Sequence, residues 1–98
     1  MKYDVIIRPE AELDMDLVAE WYEFQRNGLG HEFLMSVDEG INLITNHPEI
    51  FQVRFRNTRI CLLHRFPYGI YYFVIEKQVI VFAVQHHKRN NSNLKNRI

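Results

Sequence analysis

Apolar positions along the chain change their period once, close to the middle. From Glu10 onward Leu13, Leu17, Trp21 and Phe24 recur at spacings of four, four and three, which puts them on one stripe of an amphipathic helix and predicts that this stripe packs on the core. That helix ends near Asn27-Gly28. Leu29, Phe33, Val37, Ile41 and Ile44 repeat the pattern in a second helix with Gly30 close to its start, and Asn46-His47-Pro48 ends it, because the residue before a proline is pushed out of the α region. Two helices joined by about two residues should form an antiparallel hairpin. The first helix also has a second apolar arc, Ala11, Val18 and Tyr22 with Met15 near its edge, so it is suited to touch more than one layer, although the second helix alone would account for that arc.

Strand signals lie on both sides of the hairpin. Tyr3 to Ile7 is short and β-branched, and Pro9 stops it, so a strand is expected at about residues 3 to 7. After Pro48 the helical period disappears, and Ile60 to Leu63, Gly69 to Ile75 and Val79 to Val84 read as strands rich in aliphatic and aromatic residues. Glu76-Lys77-Gln78 is a short polar break that suits a hairpin, and Arg65 to Gly69 connects the first two strands of the set. The order β-α-α-β-β-β predicts an α+β fold: an N-terminal strand, a helical hairpin and a three-stranded antiparallel meander, with the helices on one face of the sheet. Residues 51–58 alternate apolar and polar between two turn signals, which leaves loop and strand extension both open. The polar segment 90–98 has no period, and is read as flexible or as ordered only against a partner.

Length and composition add boundaries. The 98 residues, 47% hydrophobic and 24% charged, describe one globular domain. A single cysteine, Cys61, allows no intramolecular disulfide, and the N-terminus has no apolar signal core. With no stretch approaching a membrane span, a soluble cytoplasmic protein is expected. The zero formal charge conceals a split. Residues 1–50 carry three basic and eleven acidic residues, a balance of −8, and residues 51–98 carry nine basic residues against Glu76, a balance of +8. Acidic helices covering a basic sheet would explain this, and so would a cationic surface that binds a polyanion or a partner. Glu12, Asp16, Glu20 and Glu23 fall within one narrow arc of the first helix. A solvated face is the favoured reading, and the other is a surface that pairs with cations.

The residues then carry a resemblance. The element order, His47-Pro48 after the second helix, Arg59 opening the next strand, Arg65-Phe66-Pro67-Tyr68, the pair Tyr71-Tyr72, and a closing strand Val79, Val81 to Arg89 of the form Val-x-Phe-Ala-Val-x-His-x-x-Arg resemble the RelE/ParE toxin superfamily over nearly the whole chain. The family's usual proline and tryptophan after the closing arginine are missing. Asn91 and Leu94 stand there, and Arg97 remains. The resemblance implies the toxin of a type II toxin-antitoxin system, a plasmid-stabilisation type of protein that inhibits growth and is neutralised by a small cognate antitoxin. Two activities occur in the superfamily: ParE-like members poison DNA gyrase, and RelE-like members cleave mRNA in the ribosome. An inactive orphan that retains the fold is the third possibility.

Metal-free RNA cleavage needs a base for the 2′-OH, an acid for the leaving oxygen and cations for the phosphorane. His86, Arg65, Arg89 and Tyr68 are the candidates for that chemistry, with His64, His87 and Tyr72 as further candidates for proton transfer or base stacking. Arg59, Arg65, His87, Lys88, Arg89 and Arg97 are the candidates for binding the target or the antitoxin. On a regular strand His86 sides with Ile80, Phe82 and Val84, and His87 with Val81, Ala83 and Gln85; Arg59 and Arg65 share a face with Cys61 and Leu63. No cofactor is implied, and no Cys or His spacing resembles a metal site. Cys61 reads as packing, and the four scattered glycines form no phosphate-binding loop. Overall neutrality and a sparse catalytic inventory tilt the choice slightly toward the gyrase-type activity, since a protein working among ribosomal RNA is expected to be strongly basic.

Overall fold

The computed structural model describes residues 2–88 and 93–97. The chain runs β1 (Asp4–Ile7), α1 (Pro9–Gln25), α2 (Leu29–Asn46), β2 (Gln52–Phe55), β3 (Thr58–Leu62), β4 (Tyr68–Ile75) and β5 (Gln78–His86), and a short 3-10 turn follows at Lys95–Arg97. The expected meander is β3, β4 and β5, each antiparallel to the next. Two further strands complete the sheet in the order β1-β5-β4-β3-β2. The undecided segment forms β2, which makes a hairpin with β3, and β1 lies parallel to β5. Glu76 adopts φ 56 in the tight turn between β4 and β5, the backbone twist that a two-residue hairpin demands.

The sheet has a core on each face. Phe33, Val37 and Ile44 of α2 pack with Ala11 and Ala19 of α1 on Cys61, Ile70, Tyr72, Val79, Val81 and Val84. On the opposite face Ile60, Tyr71, Phe73, Ile80, Phe82 and Ala83 are closed over by Leu94, which is fully buried. Within the segment read as flexible, Leu94 is buried and Arg97 reaches Asp14, while Asn93, Lys95 and Asn96 are exposed. The segment's residues 90–92 and 98 lie outside the described residues. The anchor is one apolar side chain in a polar tail, a signal too short to register as a period.

The two helices treat their apolar stripes differently. In α2 the expected stripe faces the core, with Phe33 and Ile44 0% exposed. In α1 the expected stripe faces outward: Leu13 is 58%, Leu17 57%, Trp21 56% and Phe24 86% exposed. The core side of α1 is the second arc, Ala11 and Ala19 with Met15, Val18 and Tyr22 packed around them. Small residues decide this. A Cβ added at Gly30 would lie 2.4 Å from the Ala19 carbonyl oxygen, so α1 and α2 meet at backbone distance, which larger side chains would prevent.

Glu23 departs from the solvated arc. Its carboxylate accepts from the Gly28 N–H at 2.8 Å and the Gly30 N–H at 3.0 Å, placing negative charge on the unsatisfied amides that begin α2. Gly28 makes the sharp link possible with φ 88. Glu12, Asp16 and Glu20 remain exposed.

Candidate functional site

A bulge in β5 sets the site. Tyr71 lies opposite Ala83 and Tyr72 opposite Val81, so Phe82 is an extra residue on β5. Ile80, Phe82 and Ala83 consequently share the face away from the helices, and Val84 returns to the helical side with Val79 and Val81. The alternation expected for His86 is broken by this slip. His86 stays with Val84 but is separated from Ile80 and Phe82, and it comes to lie opposite Tyr68 of β4 with ring centroids 5.5 Å apart. Edge groups left open by the bulge are taken by side chains: the Val84 N–H donates to Asp14 at 3.0 Å, and Arg97 donates to the Phe82 carbonyl at 3.2 Å.

Four of the sequence candidates gather at this end of the sheet. His86 Nδ1 accepts the Lys88 N–H at 3.2 Å, which puts the proton of the neutral ring on Nε2. The ring of His87 stacks on that of His86 at 5.5 Å, and the His87 N–H donates to the Pro67 carbonyl at 3.1 Å. Tyr68 and exposed Lys88 complete the group. Arg89 lies outside the described residues.

Arg65 sits beside this group on an aromatic floor. Because β3 ends at Leu62, the connection rather than strand alternation orients Arg65. Its guanidinium donates to Glu32 at 2.8 Å and lies 5.4 Å over the Phe66 ring. Phe66 and Tyr68 both pack edge-on against Phe33 at 5.3 and 5.6 Å, which joins Arg65 to His86 through packed rings. The hydrogen bond from Arg65 holds the Glu32 carboxyl below its usual range against the opposing effect of desolvation, and the nearby charges of Arg26 and Arg65 add to the lowering. His64 is exposed and shares a shallow pocket with Arg65, Glu32 and Glu39. Burial, and then the neighbouring Tyr68, push the Tyr22 hydroxyl up under the same floor.

The remaining candidates are built into the scaffold. Arg59 donates to the carbonyls of Glu49 at 3.0 Å and Phe51 at 2.7 Å, pinning the connection from α2 to β2. Arg97 reaches Asp14 at 2.7 Å in a half-buried ion pair. Tyr72 is 0% exposed and its hydroxyl donates to the Pro48 carbonyl at 2.5 Å; burial pushes its pKa upward. It does not offer a stacking face. Burial likewise raises the Cys61 thiol to about 11, which agrees with packing and not with a nucleophile.

With this geometry in view, relatives can be compared. A model of the family described as the ParE toxin of type II toxin-antitoxin systems, parDE, matches residues 5–91. The chain belongs to the ParE toxin family. Among solved structures, the chromosomal ParDE toxin-antitoxin system of Pseudomonas aeruginosa superposes with a TM-score of 0.64 at 13% identity, over 87% of this chain and 96% of that one. The toxin-antitoxin complex RelBE2 from Mycobacterium tuberculosis gives 0.61 at 15% identity, over 89% of this chain and 100% of the other. At these identities the likeness is one of fold. No curated protein matches the sequence.

Sequence reasoning missed three participants in this ParE-family chain. Arg54 donates to the His87 carbonyl at 2.7 Å and fixes the turn that carries the histidines. Asp14 receives both Arg97 and the β5 edge. Glu32 receives Arg65 and Arg26. The contacts of Arg54 with His87, Arg97 with Asp14 and Arg65 with Glu32 each span 33 residues or more, and the charge split between the two halves is a sequence signal for the last two.

Proposed function

We propose that this ParE-family chain is the toxin of a type II pair, held inactive by a small cognate antitoxin, and that it acts by binding a protein target, DNA gyrase, rather than by cleaving mRNA. The observation that carries the choice is the engagement of the candidate cations. A phosphorane needs charge that is free to meet it, yet among the described residues Arg59 is committed to two carbonyls, Arg65 to Glu32 and Arg97 to Asp14, with Arg89 lying outside them. An antitoxin partner is supported by the two structural neighbours, both from toxin-antitoxin systems. Its acidic segment would meet the exposed rim at Arg54 and Lys88, in competition with the target. No helix among the described residues is long and apolar enough to cross a membrane.

The contact between Tyr68 and His86 favours a second reading, mRNA cleavage, because it places a stacking ring beside a proton-transfer group. Induced expression in bacteria with parallel mRNA 5′-end mapping and DNA-break reporting separates the two. Breaks without new mRNA ends are the expected result. Codon-positioned ends without breaks would replace the gyrase reading, and Arg65→Ala should then lower cleavage by on the order of 10². Normal growth would leave an inactive member of the family.

A further inference from the structure

The outer face of α1 is left unused by the site above. Leu13, Leu17, Trp21 and Phe24 are each more than half exposed and follow one another along a single stripe. A row of four large apolar side chains in water is the pattern of an interaction surface, since isolated exposed residues are ordinary and aligned ones are not. At its inner edge the stripe runs into a cleft of about 130 Å³ between α1 and the sheet, lined by Asp14, Leu17, Val18, Tyr68, Val84 and Gln85. Gln85 is 7% exposed, and its side-chain oxygen has no hydrogen-bond partner among the described residues.

Charge identifies the occupant. α1 carries Glu10, Glu12, Asp14, Asp16, Glu20 and Glu23 and no basic residue. Glu12, Asp16 and Glu20 are exposed along one flank of the stripe, and Asp14 stands on the other. Two copies of this chain packed antiparallel through the stripe would set one acidic flank against its own image, which is repulsive. A partner with basic flanks meets the opposite sign. The chain itself shows that chemistry at one point, where Arg97 reaches from the C-terminal segment onto Asp14.

We propose that the outer face of α1 is a docking surface for a basic amphipathic helix of another protein, whose apolar ridge covers Leu13, Leu17, Trp21 and Phe24 and whose Lys or Arg side chains meet Glu12, Asp16 and Glu20. The surface is separate from the cationic rim and does not depend on which target the toxin poisons. Trp21, the single tryptophan of the chain, lies in the middle of it and reports occupancy directly.

The test is a fluorescence titration of the full chain with three tryptophan-free 18-residue peptides. One carries leucines on a helical stripe with lysines beside them, one replaces each lysine by glutamate, and one scrambles the first so that the stripe is lost. The lysine peptide should shift Trp21 emission to the blue and saturate, with at least tenfold weaker binding of the other two. Leu17→Ser/Phe24→Ser, both more than half exposed, should lose tenfold or more of the affinity, and Asp16→Asn/Glu20→Gln should narrow the gap between the lysine and glutamate peptides. Absence of binding, equal binding of the glutamate or scrambled peptide, or undiminished binding by Leu17→Ser/Phe24→Ser would overturn the proposal. Sedimentation velocity decides the rival occupant: a dimer abolished by Leu17→Ser/Phe24→Ser would assign the stripe to a second copy instead.

Discussion

α1 and α2 are neighbours of nearly equal length with equally clear apolar stripes, yet only one stripe is buried. α2 turns Phe33, Val37 and Ile44 to the sheet, and α1 turns Leu17, Trp21 and Phe24 to solvent. Periodicity identifies a face that can be buried. Which face is buried depends on what fits, and between two closely packed helices the arc of Ala11 and Ala19 fits where leucine and tryptophan would not. A helix apolar on two sides thus has a structural arc of small residues and a free arc of large ones.

The sharpest way to break this comparison is to truncate one aromatic on each helix. Phe33→Ala should cost about 3 to 5 kcal/mol by urea denaturation, the usual loss for a buried phenylalanine, while Phe24→Ala should stay within about 0.5 kcal/mol, as surface substitutions do. Similar costs in the two would mean that the α1 stripe is covered within the folded chain. Next in size is Gly30→Ala, which puts a methyl against the Ala19 carbonyl and should cost about 1 to 3 kcal/mol by overpacking. A neutral outcome would show that the helices are not held at backbone distance.

Smaller effects probe what ties α1 to the sheet. Arg97→Ala should cost about 1 to 2 kcal/mol by leaving the half-buried Asp14 short of a partner, and adding Asp14→Ala should cost less than the sum of the two changes. Strict additivity in the double-mutant cycle would remove the coupling. Cys61, on the α2 side of the sheet, gives a pH signature. Its folded pKa, raised by burial to about 11, lies above the unfolded value, so its contribution to stability is complete below that unfolded value and is lost as pH rises toward 11. Alkylation of the native chain at pH 8 should be at least about tenfold slower than that of the unfolded chain. Equal rates would place the thiol at the surface. The smallest effect is expected for Arg65→Ala, below about 0.5 kcal/mol, because its pair with Glu32 is exposed. A larger loss would mean that the cation braces the aromatic floor.

Much of the architecture was legible because it rests on local signals. The two helices, the turn at Gly28, the stop at Pro48 and the meander strands each follow from period, proline or glycine within a few residues. The site was legible in part. Tyr68, His86, His87 and Lys88 do converge, and Arg65 lies beside them. The engagement of Arg59 and Arg97 was not legible, because Arg59 meets backbone carbonyls that any residue type presents and Arg97 meets a carboxylate brought to it by a distant segment.

What the sequence determined by itself is the order of elements apart from β2, the family and the separation of acid from base. These depend on residue type and near-neighbour spacing, which the chain carries unfolded. Only the tertiary structure decided that small residues would claim the inner side of α1, that a bulge at Phe82 would bring His86 to Tyr68, and that Leu94 would close the far face of the sheet. Each is a question of which surfaces fit when all are brought together, and shape complementarity at the scale of a methyl group is not written in any single stretch of the chain.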